Sequence, residues 1–273
     1  MELGYWIEKS AARALVHADW ANQYMPDLID KIRFRRKPLS LSNCYESLSG
    51  NHVAIGIYDF FVNANKYSLQ QHLFTAIQLK LAAIALEDYQ KFEVGSEILY
   101  ALLSDNLLLI DKVARLETPH YVSARSNPLH AQFKVHMLQL AILGDYEALQ
   151  LKVAHLAKNG RKKDRELPDQ GKDFFSLLIQ GDKQGLQELI TQHAKIKSQD
   201  VVTEDFMCFL GTIEAKICWL KGIQVQIGSP LLPMGLMPLE PLDRYDDVYD
   251  FLQPGWTPPP QGIVDKLSGW FKK

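Results

Sequence analysis

The chain has 273 residues, of which 47% are hydrophobic and 23% charged, a composition typical of a globular protein with a substantial core. Thirty basic against 32 acidic side chains give a formal net charge of -2, so no overall charge bias favours nucleic acid or anionic lipid as a partner. The cysteines, Cys44, Cys208 and Cys218, lack CxxC spacing and are too few for a disulfide framework. They suit a reducing compartment.

The N-terminal segment MELGYWIEKSAARALVHADW carries charged residues throughout, which is the wrong pattern for the uncharged core of a signal peptide. The most apolar stretch, LFTAIQLKLAAIAL at 73–86, is interrupted by Lys80 and falls short of the roughly 20 residues that a membrane span needs. We therefore expect a cytoplasmic protein without a membrane partner.

From Trp6 to about Leu220, apolar residues mostly recur at three- and four-residue spacing, which is typical of amphipathic helices. Strand-like alternation is scarce. The predicted fold class is all-α, built of stacked antiparallel helical hairpins. The pattern predicts helices at about 5–24, 27–36, 52–65, 69–88, 92–104, 106–116, 128–143, 145–158, 172–180, 183–195 and 204–226.

Three segments share the same break between two apolar runs: ALLSDNLLLIDKVARL (101–116), AILGDYEALQLKVAHL (141–156) and LLIQGDKQGLQELITQH (177–193). In each, a glycine or serine ends one helix and an aspartate begins the next by accepting backbone N–H groups. We interpret Asp105, Asp145 and Asp182 as helix caps rather than catalytic carboxylates. The period of 37 to 40 residues is that of stacked helical hairpins.

Eight of the 13 prolines lie within 228–260, so this segment is predicted to run largely extended over the helical body. Its leucines and aromatic residues supply too much apolar surface for a disordered tail. A last helix is predicted from IVDKLSGWFKK (263–273). The predicted organisation is a helical domain, 1–227, with a proline-rich strap and terminal helix, 228–273, packed on the same domain.

The sequence contains none of the motifs GxxxxGK[ST], GxGxxG, HExxH or GxSxG. The eight histidines are scattered, and we predict neither a metal nor another cofactor. Cys44, in the predicted polar loop SLSNCYES, has no neighbour that would activate it. The basic runs RFRRK (33–37) and KNGRKKDRE (158–166) lie at helix ends and lack the interleaved aromatic residues of a single-strand groove, so no nucleic acid is expected. A joint basic face remains an open alternative.

The densest functional signal is DRYDDVYDFLQPGW (243–256). This segment contains four aspartates, only one arginine and several aromatic residues between them. This pattern suits a surface that engages a basic cleft of a partner. The candidate binding residues are Asp243, Tyr245, Asp246, Asp247, Tyr249, Asp250 and Trp256. Two alternatives stay open. Asp243, Asp247 and Asp250 could share a helical face as metal ligands, although calcium-loop spacing is missing. Otherwise Tyr249, Phe251 and Leu252 only anchor the segment while the aspartates stay solvated.

The combination of ALLSDN, LLIQGDKQGLQELI and the late YDDVYDFL resembles the immunity protein 49 family of bacterial polymorphic toxin systems. The resemblance covers roughly residues 69–195 and, more loosely, the C-terminal segment. It implies a mainly helical cytoplasmic protein that protects its producer by binding a cognate toxin.

The leading hypothesis is therefore a non-enzymatic immunity protein that occludes the active or substrate site of a toxin. If that toxin is a nuclease, an acidic segment can imitate phosphate charge. The alternative is a helical-repeat adaptor or chaperone for a secreted effector, whose bound client would keep its activity. A third class, an enzyme with a diffuse site, would require several of His130, His136, Asp111 and Asp173 to converge in one pocket.

Overall fold

The computed structural model describes residues 2–35, 40–86, 95–196 and 200–259, with side chains from Glu8 onward. These ranges contain helices and irregular segments but no β-strand, so the predicted all-α class is confirmed. The predicted helix at 263–273 lies outside the described residues. The helices are α1 (Glu2–Phe34), α2 (Leu41–Phe61), α3 (Lys66–Leu86), α4 (Ser96–Leu103), α5 (Leu107–Ala114), α6 (Pro119–Ala124), α7 (Ala131–Leu143), α8 (Tyr146–Asn159), α9 (Lys162–Asp169), α10 (Phe174–Gln180), α11 (Lys183–His193) and α12 (Phe209–Leu220), with short 3-10 helices at Met234–Leu236 and Asp250–Leu252.

Helix α1 continues through Pro26, where the sequence predicted a break between two helices. Proline removes a backbone hydrogen bond and crowds the preceding turn, at a cost of about 3 kcal/mol. Beyond the proline, however, α1 buries Ile32 completely in a cluster with Tyr45 and Leu48 of α2. Burying one such side chain contributes roughly 1.5–3 kcal/mol. Tertiary packing therefore offsets the cost of the proline, and the predicted break was wrong.

The segment SLSNCYES, predicted to be a polar loop, instead caps and begins α2. Ser40 Oγ accepts the backbone N–H of Asn43 at 3.3 Å, which caps the helix. Two turns later, Ser49 Oγ donates to the carbonyl oxygen of Ala76 in α3 at 2.9 Å. Small polar residues thus lie in the contact between α2 and α3. They obscure the apolar period from which a helix would have been predicted.

Two of the three repeated breaks have the predicted conformation and helix cap. Gly144 and Gly181 end α7 and α10 in the left-handed conformation, with φ of +76° and +68°. Asp145 and Asp182 then each accept a backbone N–H three residues ahead, at 3.1 and 3.0 Å. Helix α7 packs on α8 and α10 packs on α11, so each break joins two neighbouring helices.

The first copy differs, and the prediction that Asp105 caps a helix was wrong. Asn106 caps α5 instead and accepts the backbone N–H of Leu109 at 2.9 Å. The connection holds three residues, Ser104, Asp105 and Asn106, where the second copy has only a glycine and an aspartate. Asp105 takes the left-handed conformation, φ +56°, that glycine takes in the other copies. Its side chain is turned into the protein and is 1% exposed.

Three other helices differ from the predicted boundaries. Helix α6 forms inside a predicted loop, with Thr118 as its cap and Pro119 in the first turn, where a missing N–H donor costs little. Helix α9 occupies part of the second basic run and includes Pro168. Helix α12 is shorter than the predicted 204–226, because turns occupy the residues before it and Gly222 follows it with φ of +79°.

The described part of the C-terminal segment, 228–259, is called the strap below. It crosses the helices in extended and turn conformations, interrupted by the two 3-10 helices. Its apolar side chains enter two clusters of buried residues. The first half contributes to the main core and the second half to a smaller cluster with α1, α2 and α3; the buried strap residues are Leu232, Leu236, Met237, Tyr249 and Phe251.

Candidate functional site

Side chains of α3 hold the backbone of the strap. The amide of Gln71 donates to the carbonyl oxygen of Asp246 at 3.0 Å and accepts the N–H of the same residue at 2.9 Å. Further along α3, Gln78 Nε2 donates to Asp247 Oδ1 at 3.3 Å. The side-chain amide of Gln71 thus satisfies both backbone groups of Asp246, as a neighbouring β-strand would. These hydrogen bonds fix the position of the strap although it belongs to no sheet.

A buried ion pair holds the first half of the strap. Lys216 Nζ of α12 lies 2.5 Å from Asp105 Oδ1, and each side chain is 1% exposed. The same ammonium donates to the carbonyl oxygens of Leu236 and Pro238 at 2.7 and 3.1 Å. Asp105 Oδ2 accepts a hydrogen bond from Gln70 Nε2 at 2.7 Å. Burial lowers the pKa of Lys216, and the carboxylate of Asp105 opposes that shift. This cluster ties the strap to α3 and α12.

Tyr245 is half-buried and faces the helices. Its ring stacks on Phe74 with centroids 4.7 Å apart and an interplanar angle of 30°. Its hydroxyl donates to the carbonyl oxygen of Ser104 at 2.7 Å and accepts the N–H of Leu242 at 3.1 Å. The ring and the hydroxyl of Tyr245 are both engaged within the protein.

Tyr249 is buried still more deeply, at 4% exposure. Its hydroxyl lies 2.8 Å from His52 Nε2, and its ring stacks on Phe251 at 4.8 Å. His52 Nδ1 in turn lies 2.8 Å from His72 Nδ1, so one of these two nitrogens carries the shared proton. Burial lowers the pKa of His52 to about 3 and raises the pKa of Tyr249 to about 12. The cluster is therefore uncharged at neutral pH.

Trp256 is half-buried near the end of the strap. Its ring meets Phe251 edge-on, with centroids 6.1 Å apart, and the guanidinium of Arg35 lies 5.8 Å from its centroid. The aromatic residues of the predicted binding segment thus face the protein. For Tyr249 and Phe251, the alternative in which the segment is anchored agrees with the geometry, and Tyr245 makes anchoring contacts as well.

The carboxylates of the strap, by contrast, are exposed. Asp250 Oδ1 accepts two hydrogen bonds from Arg33 of α1, at 3.1 and 3.0 Å. Asp246 lies 3.4 Å from Arg244, whose side chain is 86% exposed. Asp243 forms no ion pair with a described residue. We call Asp243, Asp246 and Asp247 the acidic rim.

Asp243, Asp247 and Asp250 do not have the geometry of the metal site considered above. Between Asp243 and Asp250 the chain is extended and not helical, so these carboxylates do not share a helical face. Across the described ranges, no three His, Cys, Asp or Glu side chains converge as metal ligands.

A second exposed surface, on α1, was missed by the sequence analysis. Trp20 and Tyr24 are 59% and 57% exposed, and Val16 precedes them on the same helical face. The opposite face packs on α2 through small residues: Ala14, Ala18 and Ala21. A sequence signal could have identified this surface. Val16, Trp20 and Tyr24 recur every four residues, and alanines occupy the opposite face of the helix. We call these three residues the α1 stripe.

Tyr24 of the α1 stripe and Asp250 of the strap lie on different sides of α1. Tyr24 and Arg33 are nine residues apart, which corresponds to about 180° around a helix. Arg33 contacts Asp250 of the strap, so Tyr24 faces away from it.

The four residues considered for a diffuse active site are engaged locally and share no described contact with one another. Asp173 caps α10, and Asp111 pairs with Arg115 one turn further along the chain. His130 is exposed at the start of α7, and burial lowers the pKa of His136 to about 4.

Cys44 lies inside α2 and is buried, which corrects its predicted place in a loop. Burial raises the pKa of its thiol, as it does for Cys208 and Cys218. All three therefore stay protonated at neutral pH, which is the opposite of what a nucleophilic cysteine needs.

Within the described ranges, no helix combines the length and hydropathy that a membrane span requires. Comparison of the chain with models of protein families, with curated proteins and with solved structures found no match.

Proposed function

We propose that this protein is a bacterial immunity protein that binds a cognate toxin and neutralises it by covering the toxin's active or substrate site. The observation that carries the proposal is the division of roles within the strap. Its aromatic side chains hold it to the helices, while Asp243, Asp246 and Asp247 face solvent. A surface whose backbone is already fixed loses little conformational entropy on binding.

The chemistry of the acidic rim indicates the kind of partner. Three carboxylates within five residues, with Arg244 as the one cation among them, attract a basic cleft. Such a cleft is typical of enzymes that bind phosphate groups, so a nuclease toxin fits best. The resemblance of ALLSDN, LLIQGDKQGLQELI and YDDVYDFL to an immunity family supports the same class of function.

Co-expression with the toxin encoded beside this gene tests the proposal. The wild-type protein should restore growth, and the triple variant Asp243→Asn, Asp246→Asn, Asp247→Asn should reduce survival at least about tenfold, because rim charges steer and orient the complex. A control variant removes the same number of charges from exposed positions outside the strap: Glu147→Gln, Asp169→Asn and Glu188→Gln. This control should protect as well as the wild type. Absence of protection by the wild-type protein would refute the proposal.

An adaptor or chaperone for a secreted effector is the second candidate. It is favoured by the α1 stripe, which exposes Trp20 and Tyr24 on the side of α1 that faces away from the strap. Aromatic residues of this kind often dominate the binding energy of protein interfaces. The activity of the bound client separates the two candidates: an immunity protein abolishes it, whereas an adaptor leaves it intact.

A further inference from the structure

A cavity of about 690 Å³ lies between α2, α3, the start of α4, Ile196 and residues 200–210. This volume is within the range of about 300–1,000 Å³ that is common for small-molecule sites. The residues used in the following argument include Glu46, Val53, Lys80, Val202, Phe209 and Leu210, all of which line it. No described strap residue lines the cavity, so it is separate from the acidic rim.

One end of the cavity holds a cluster of buried charges. Lys80 Nζ lies 3.0 Å from Glu46 Oε2 and 3.4 Å from Glu97 Oε1, and the side chain of Glu97 is only 2% exposed. The other oxygens, Glu46 Oε1 and Glu97 Oε2, are buried and accept no hydrogen bond within the described part of the chain. A buried acceptor without a donor is destabilising, and more so when it is charged. Glu46 lines the cavity, so Glu46 Oε1 is an acceptor that a ligand there can satisfy.

The charges around this end do not balance. One ammonium, on Lys80, faces two carboxyl groups, and the attraction of Glu97 and Glu46 outweighs burial and raises the pKa of Lys80. Burial raises the pKa of Glu97, and the ammonium of Lys80 opposes that shift. The lining itself holds two carboxyl groups, on Glu46 and Asp200, and one ammonium, on Lys80, so it favours a cationic ligand.

The remainder of the lining is largely apolar. Val53, Val202, Phe209 and Leu210 provide aliphatic and aromatic surface, and Asp200 adds a carboxyl group to the lining. A ligand that fits both parts has an apolar body and a positively charged end that donates hydrogen bonds. Simple inorganic cations match only the charged end, and neutral hydrophobic molecules match only the walls.

We propose that this cavity binds a small organic cation, with an ammonium or guanidinium group beside Glu46 and an apolar body against Phe209 and Leu210. The proposal does not depend on toxin binding, since the cavity and the acidic rim share no described residue.

Three probes with the same phenylethyl body test the chemistry: 2-phenylethylamine, 2-phenylethanol and 3-phenylpropanoate. They share an aromatic body and differ in the charge of the head group. Titration calorimetry at neutral pH gives the dissociation constants, and the amide signal of Gly50, which lines the cavity, reports the location by NMR. We expect the amine to bind at least about tenfold more tightly than the alcohol, and the carboxylate more weakly than both.

Two variants locate the site. Glu46→Gln removes the charge but keeps a polar side chain, and it should weaken amine binding at least about tenfold. Leu210→Trp fills the cavity from a partly exposed position and should abolish binding of every probe. The matched control, Glu147→Gln, lies on α8 outside the cavity and should bind as the wild type does. Thermal unfolding verifies that each variant is folded.

The proposal is overturned if the three probes bind equally, if none of them binds, or if Leu210→Trp binds the amine as the wild type does. The proposal is also overturned if the acidic-rim variant loses amine binding while Glu46→Gln retains it. Because the readout is ligand binding without a toxin, its failure is distinguishable from failure of the immunity function.

Discussion

Replacing Lys216 with methionine removes the charge that ties the strap to the helices. Methionine keeps most of the apolar length of lysine, so packing changes little. The substitution leaves the carboxylate of Asp105 buried without a cation and the carbonyl oxygens of Leu236 and Pro238 without their shared donor. Truncating one partner of a buried ion pair costs about 3–5 kcal/mol. We therefore expect the free energy of unfolding of Lys216→Met to fall by about that amount.

A second variant separates the uncompensated charge from the lost hydrogen bonds. Asn at position 105 removes the charge, accepts the hydrogen bond from Gln70 and tolerates the left-handed backbone. The double variant Asp105→Asn, Lys216→Met should therefore recover about 1–3 kcal/mol relative to Lys216→Met. The control Lys158→Met, at an exposed position on α8, should change stability by less than about 0.5 kcal/mol.

Urea unfolding measures these differences, and limited proteolysis with mass spectrometry measures exposure of the strap. Cleavage between residues 228 and 259 should accelerate in Lys216→Met and return towards the wild-type rate in the double variant. A loss below about 1 kcal/mol would contradict the role assigned to the pair. So would unchanged cleavage, or a double variant no more stable than the single one.

The other expectations concern pH, the repeated breaks and the thiols. Because the folded pKa of His52 is about 3 and the unfolded value about 6.5, only the unfolded chain gains a proton as pH falls below 6.5. The free energy of unfolding should thus decrease by up to about 5 kcal/mol between pH 6.5 and 3. Urea titrations measure this dependence, and it would be contradicted if the free energy of unfolding of His52→Asn fell with pH as steeply as that of the wild type. Asp145→Ala should cost about 1 kcal/mol through the lost cap and Gly144→Ala about 1–2 kcal/mol through its positive φ. A methyl group added at Gly228 meets no neighbouring atom, so the control Gly228→Ala should not change stability in the same urea assay. An equal loss of stability in this control would refute the role assigned to the positive φ of Gly144. Cys44 and the other two thiols should react with Ellman's reagent only after unfolding, so rapid labelling of the native protein would show that their burial is wrong.

The sequence was sufficient for the fold class because apolar spacing is a direct consequence of helix geometry. It was also sufficient for the breaks at Gly144 and Gly181, where local chemistry decides the conformation. It failed at Pro26, where distant packing of Ile32 outweighs the local preference. It also failed at SLSNCYES, where Ser42 is buried inside α2 although the local composition resembles a polar loop.

The candidate site was predicted only in part. The segment 243–256 was identified by composition, but composition does not tell which face of an extended chain is buried. That face is selected by partners far away in sequence, such as His52 for Tyr249 and Ser104 for Tyr245. The role of Asp105 was missed because its partner, Lys216, lies in α12, far along the chain.

The central claim is that the acidic rim binds a toxin while the aromatic residues of the strap fix it in place. The most direct measurement is the dissociation constant between the purified toxin and this protein at two salt concentrations. We expect Asp243→Asn, Asp246→Asn, Asp247→Asn to raise that constant at least about tenfold, with a smaller salt dependence than the wild type. An unchanged dissociation constant, or an equal loss in the control Glu147→Gln, Asp169→Asn, Glu188→Gln, would contradict the claim.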